Sequence, residues 1–149
     1  MSITQSLVTS FKVEILDGIH NFGVGVVRGS TAADTFNIAL YTASATLDST
    51  TTAYSATNEV VGTGYVAGGN TLVISQVPTS TGTTAFLDFS DSSWTTSTIT
   101  ARGALIYNST QSNKAVAVLD FGSDKTTVAQ TFTVVFPSSS STTAIVRIA

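Results

Sequence analysis

The sequence has no cysteine, and it has one histidine and two prolines among its 149 residues. Without cysteine there is no disulfide framework and no thiolate chemistry, so the fold depends on packing and backbone pairing alone. The single histidine, His20, excludes any metal site that needs two imidazoles. No serine lies in a Gly-x-Ser-x-Gly turn, so the sequence gives no sign of a Ser-His-Asp triad around His20.

Charged residues are scarce as well, at 10% of the chain, where about 25% is typical. A folded chain of 15.4 kDa exposes roughly 7,200 Å², which leaves about one formal charge per 480 Å². Serine and threonine supply the remaining polar surface, and hydroxyls oppose self-association only weakly. We therefore expect much of the surface to be covered by partners; the alternative is a monomer that relies on hydroxyls for its solubility.

The net charge is −3 and the pI is near 4.7. The six basic residues are scattered singly along the chain: Lys12, Arg28, Arg102, Lys114, Lys125 and Arg147. Such spacing cannot neutralise a run of phosphates, so direct nucleic-acid binding is not expected. Residues 1–10 have neither a basic residue nor a continuous apolar run, and no stretch approaches the roughly 18 apolar residues of a membrane span, so neither a secretory signal nor membrane insertion is expected.

No residue pattern in the sequence matches a known catalytic, metal-binding or phosphate-binding motif. Oxygen ligands for calcium are conceivable among Asp88, Asp91, Asp120 and Asp124, but their spacing matches no known calcium loop, and strand termination or turn capping explains them equally well. Gly62-Thr63-Gly64 is not followed by a helix pattern, which a phosphate-binding turn requires. We predict no catalytic residue, no metal site and no cofactor, and hence a protein that is not an enzyme.

The chain reads as an all-β domain, because short β-branched and aromatic segments recur about every ten residues between turn-forming clusters. About nine strands are predicted: Phe11–Leu16, Phe36–Tyr41, Thr71–Val77, Thr84–Phe89, Thr95–Arg102, Ala104–Asn108, Lys114–Phe121, Thr131–Phe136 and Ala144–Ile148. Helical periodicity is nearly absent. We predict a β-sandwich over residues 11–149, with jelly-roll or immunoglobulin-like connections left open and a closed barrel as the alternative.

Three segments carry further expectations. Alternation over Phe11–Leu16 predicts a strand with Phe11, Val13 and Ile15 on its core face. Threonines alternate with small residues over Thr95–Arg102, which is typical of an outer strand. Residues 44–70 form a long connection, and loops of that length in compact domains often bind something.

Four segments, residues 9–16, 36–42, 101–108 and 115–122, resemble a group of small virion structural proteins of tailed bacteriophages. The resemblance extends from about Phe11 to Ile148. It implies a β-rich subunit present in many copies, either a capsid decoration (cement) protein or a tail component. Because a subunit facing packaged DNA would need basic residues, we expect a position on the outer capsid surface of the virion, after synthesis in the host cytoplasm.

The resemblance also implies partners. We expect contacts with the major capsid protein and with further copies of the chain, most simply as a homotrimer, since capsid lattices offer threefold positions. Residues 1–10 form a predicted N-terminal arm that is uncharged and able to add to a neighbour's sheet. The predicted interface residues are Met1, Ser2, Ile3, Thr4, Gln5, Ser6 and Leu7 of that arm, with Tyr54 and Tyr65 of the long loop as apolar anchors.

Overall fold

The computed structural model describes residues 1–16, 18–25 and 32–149. Within them the chain is nearly all β, as the sequence predicts, and its strands form two antiparallel sheets of five and three strands. In chain order the elements are β1 (Ser6–Leu7), α1 (Thr9–Leu16), β2 (Phe36–Tyr41), β3 (Asn70–Thr71), β4 (Ile74–Thr81), β5 (Thr84–Phe89), β6 (Ser92–Asn108), β7 (Lys114–Val134) and β8 (Val146–Ile148).

The larger sheet has the strand order β1-β7-β6-β2-β3. Strand β2 lies antiparallel to the end of β6, from Phe36 opposite Asn108 to Tyr41 opposite Gly103. Alternation in β2 predicts one partly exposed face, yet nearly all of its side chains are buried. The reason is that residues 42–69 fold back against β2: the Val60 N–H donates to the Leu40 carbonyl at 2.9 Å along the strand edge, and the Tyr41 hydroxyl donates to the Ser55 carbonyl at 2.6 Å.

The smaller sheet has the order β4-β5-β8, and aromatic rings connect it to the larger one. Phe36 of β2 lies 6.1 Å from Phe89 of β5 and stacks on Phe22 at 4.2 Å. Phe89 in turn lies 5.9 Å from Phe136. The hydrophobic core therefore lies between the two sheets, in a sandwich-like arrangement.

The prediction of a strand over Phe11–Leu16 is wrong, because these residues belong to helix α1. A strand would place Phe11 and Glu14 on opposite faces, whereas in a helix both share one face with Ile15. Phe11 and Glu14 are both buried in the structure. The alternating pattern treats this carboxylate as outward-facing, whereas the helical spacing places it on the same buried face as Phe11.

Strands β6 and β7 are each longer than predicted. Each of them joins two predicted strands, and together they form an antiparallel pair that runs from Ser92 opposite Val134 to Asn108 opposite Lys114, with several register shifts. Merging removes two of the predicted strands and helix α1 replaces a third, whereas β1 was not predicted and the predicted strand Thr71–Val77 is divided between β3 and β4. The described part of the chain therefore has eight strands, against about nine predicted. Thr96, Thr98 and Thr100 are exposed, as expected for an outer segment. We call the part formed by residues 92–101 and 125–134 the ribbon.

Candidate interaction surface

The predicted N-terminal arm lies on the chain's own sheet. Ile3 is buried and forms a parallel bridge with Leu47, and the Thr4 N–H donates to the Leu47 carbonyl at 2.8 Å. Strand β1 then pairs with β7. The segment is therefore not the free arm expected from the sequence, and Ile3 is no longer available to a partner. Exposed side chains remain at Met1, Ser2, Thr4 and Gln5, while Ser6 and Leu7 are half-buried.

The two predicted tyrosine anchors point their hydroxyls inward. Tyr54 and Tyr65 are half-buried, and each donates to a different carboxylate oxygen of Glu59 at 2.6 Å. Their rings pack against Tyr107 at 4.7 Å and Trp94 at 5.9 Å, respectively. The polar end of each side chain is thus occupied within the protein, and a partner can reach only part of each side chain.

Glu59 is the centre of this arrangement, which we call the tyrosine cluster. It is buried and also accepts the Gly68 N–H at 2.7 Å. The Tyr107 hydroxyl donates to the Gly68 carbonyl at 2.8 Å, and the Tyr41 hydroxyl donates to the Ser55 carbonyl at 2.6 Å. All four tyrosines of the chain therefore tie residues 42–69 to the larger sheet. Sequence reasoning missed Glu59; the available signal was a single carboxylate between two tyrosines, in a loop whose one other charged residue is Asp48.

The surroundings of the four tyrosines raise the pKa of each hydroxyl. Burial is the largest cause that raises the pKa of Tyr54 and Tyr65, and the neighbouring Glu59 carboxylate raises both further by opposing a second negative charge. Burial also raises the pKa of Tyr41 and Tyr107. These hydroxyls consequently stay protonated, and able to donate to their acceptors, well into alkaline solution.

Two valines of the same loop face solvent instead. Val61 is 94% exposed and Val66 is 76% exposed. Because the tyrosine cluster fixes the backbone around them, each is a preorganised apolar group on a surface with few charges. The loop thus presents valines, and not the predicted tyrosines, as its most accessible apolar groups.

His20 belongs to a second buried polar group. Its Nε2 lies 2.7 Å from Glu14 Oε2, and its Nδ1 lies 3.0 Å from the Asn108 amide nitrogen, which also donates to Asp34 at 2.7 Å. The backbone N–H groups of residues 110 and 111 donate to the Asn108 side-chain oxygen and fix the orientation of its amide. His20 Nδ1 must then accept, and Nε2–H donates to Glu14. Both ring nitrogens of His20 are hydrogen-bonded, one to Glu14 of α1 and the other to Asn108 at the end of β6, so the ring connects these two elements.

The acidic residues considered for calcium do not come together as a site. Asp88 is buried and its pKa is raised by burial, whereas Asp91 is exposed and accepts the Phe136 N–H at 2.8 Å. Asp120 pairs with Arg102 at 3.4 Å. Across residues 1–16, 18–25 and 32–149, no group of three His, Asp or Glu side chains is placed to hold a metal ion.

Burial of acids makes the surface even poorer in charge than the composition indicates. The accessible surface is 7363 Å². Of the nine acidic residues, Glu14, Asp34, Glu59 and Asp88 are buried. In the described part of the chain, the charged side chains classed as exposed are Asp91, Asp124, Lys125 and Arg147. Docking onto this surface would desolvate few charges.

Comparisons with known proteins found no family model, no curated protein and no solved structure that matches the chain. In the described residues, helix α1 is neither long nor apolar enough to cross a membrane. The likeness to phage virion proteins is therefore a prediction that depends on the four segments quoted above.

Proposed function

We propose that this chain is a structural subunit of a tailed-phage virion, and specifically a decoration protein that binds the outer capsid surface across neighbouring capsid subunits. The observation that carries the proposal is the charge-poor exterior: four acids are buried, and exposed hydroxyls and valines replace the usual charges. A permanently docked subunit tolerates such a surface, because much of it is covered in the particle. The sequence resemblance to virion structural proteins is the reason for naming the phage capsid as the assembly that this chain binds.

The contact elements follow from what is accessible. Met1, Thr4 and Gln5 are exposed, as are Val61 and Val66, and all five are uncharged groups able to enter an interface. None of these side chains imposes the desolvation cost of an ion. The capsid partner is expected to offer an apolar, weakly charged surface, and the chain would stabilise the shell without any chemical step.

Copy number in purified virions tests the assignment. Gel densitometry against the major capsid protein should give on the order of hundreds of copies per particle for a subunit that follows the capsid lattice. About a dozen copies or fewer would place the chain in the tail, which is the alternative implied by the resemblance. Absence from purified virions would overturn both readings.

Add-back of the recombinant chain to undecorated capsids tests the contact surface. Val61→Lys combined with Val66→Lys should lower occupancy at least about tenfold, because two charges would have to be buried. Val77→Lys, on β4 of the smaller sheet, is the matched control and should bind like the unmodified protein. Equal binding by all three proteins would exclude the loop as a capsid contact.

A further inference from the structure

Strand β7 has one long open edge. On one side it pairs with β6 along most of its length; on the other side it pairs with β1 at Val118 and Ala117. From Leu119 to Val134, no strand in the described ranges pairs with that second side. An open edge presents unpaired N–H and C=O groups, and most proteins protect such edges.

The opposite edge of the ribbon is protected. There, the Thr98 N–H donates to the Thr63 carbonyl at 2.9 Å, and the Asn70 amide donates to the Ser93 carbonyl at 3.0 Å. The long loop therefore covers the β6 edge and leaves the β7 edge bare. Of the two edges of the ribbon, the β7 edge is therefore the one that a further strand can reach.

The composition of the β7 edge is compatible with pairing to the same edge of a second copy of the chain. Thr126–Val134 contains no charged residue and no proline, so neither of the usual barriers to edge pairing is present. Ala129 has a φ of 50° and interrupts the edge, which confines regular pairing to one side of it. Gln130–Val134 is the uncharged side, whereas the other side includes Asp124 and Lys125.

The absence of charged residues permits self-pairing of Gln130–Val134. In a two-fold antiparallel pair of identical strands, the segment meets its own uncharged sequence, and no like charges are opposed. Thr131 and Thr133 are exposed and Phe132 and Val134 are buried, and all four line a groove of about 430 Å³ beside the edge. The groove is lined by threonines, Lys125 and four apolar side chains. Backbone pairing next to a groove that takes side chains is the arrangement used in strand addition.

We propose that the β7 edge at Gln130–Val134 pairs antiparallel with the same edge of a second copy of this chain. Such a contact is isologous and closes at two copies. It predicts a dimer, in contrast to the trimer that the virion resemblance implies, and it does not depend on the virion assignment. The occupant of the edge is thus another copy of the chain.

The first test uses a matched pair of variants. Ser93 and Thr133 lie opposite each other in the ribbon with their hydroxyls 2.8 Å apart, so a lysine at either position removes the same hydrogen bond. Light scattering of the full chain at roughly 100 µM should give the mass of two copies. Thr133→Lys should weaken the dimer at least about tenfold, because it charges the open edge, and Ser93→Lys should leave it intact. A monomeric or trimeric unmodified protein, or equal effects of both lysines, would overturn the proposal.

The second test locates the contact. Because the chain has no cysteine, any disulfide in a single-cysteine variant joins two copies. Cysteines at Thr131, Thr133 and Val135 are oxidised alone and mixed in pairs. Opposed residues in antiparallel strands have Cα atoms about 4.5–5.5 Å apart, within disulfide range. One variant or one mixed pair should cross-link strongly, and Ser93→Cys should not; cross-linking no stronger than in that control would refute the pairing.

Discussion

Removing the Glu59 carboxylate tests whether the tyrosine cluster holds the long loop in place. Glu59 accepts hydrogen bonds from Tyr54, Tyr65 and Gly68 at 2.6, 2.6 and 2.7 Å. Hydrogen bonds to charged groups contribute roughly 1.5–3 kcal/mol each, and orphaned buried donors add a cost of their own. Because water can enter a truncated site, we expect Glu59→Ala to lower the free energy of unfolding by about 3–5 kcal/mol.

Glu59→Gln separates charge from shape. Glutamine keeps one oxygen acceptor and the same volume, but it loses the negative charge that strengthens all three bonds. The expected loss is about 1–2 kcal/mol. Asp48→Asn is the control, since this carboxylate accepts its hydrogen bonds from Thr50 in the same loop, outside the tyrosine cluster.

Tyrosinate absorbance provides a second assay, because all four tyrosines of the chain belong to the cluster. The pKa of each is raised in the folded protein, so the fold binds these protons more tightly than the unfolded chain does. The resulting stability is fully present below the unfolded value of about 10 and is lost as pH rises through the folded pKa values. Folded protein should therefore show little tyrosinate at pH values of about 10.

In Glu59→Gln, Tyr54 and Tyr65 should ionise at lower pH, because the opposing carboxylate charge is gone while burial remains. Ordinary titration of the tyrosines in folded, unmodified protein would refute the cluster's electrostatics. Unfolding of Glu59→Ala at the same denaturant concentration as the unmodified protein would refute its structural role.

Three further changes test the fold. Gly69→Ala should cost at least about 2 kcal/mol in denaturant unfolding, because Gly69 has a φ of 70° and a Cβ there would overlap the Ile38 carbonyl oxygen. Burial raises the pKa of Asp88, so its contribution to stability falls as pH rises through the folded pKa; Asp88→Asn should raise the melting temperature at neutral pH and flatten its pH dependence. Burial alone raises the pKa of Glu14, yet hydrogen bonds from Lys114 and His20 lower it overall, so the stability it provides is lost as pH falls through the folded pKa. Lys114→Met should move acid unfolding, followed by circular dichroism, to higher pH.

Strands with clear local boundaries could be predicted from the sequence. Phe36–Tyr41 and Thr84–Phe89 are predicted with the bounds that the structure gives, because turn-forming residues flank both apolar runs. The open edge of β7 had a visible sequence signal, namely the uncharged stretch that follows Lys125. The prediction did not use that signal, because it divided β7 into two strands at its least apolar part.

The sequence by itself determined the all-β class and the low content of charged residues, since local alternation and composition are properties of the chain alone. Tertiary structure decided that Thr9–Leu16 is a helix, because only the burial of Glu14 against His20 and Lys114 distinguishes the two periodicities. It also decided that Tyr54 and Tyr65 face a buried carboxylate, and that β7 keeps an open edge. Each of these depends on which distant residue fills the neighbouring space, and no local pattern encodes that choice.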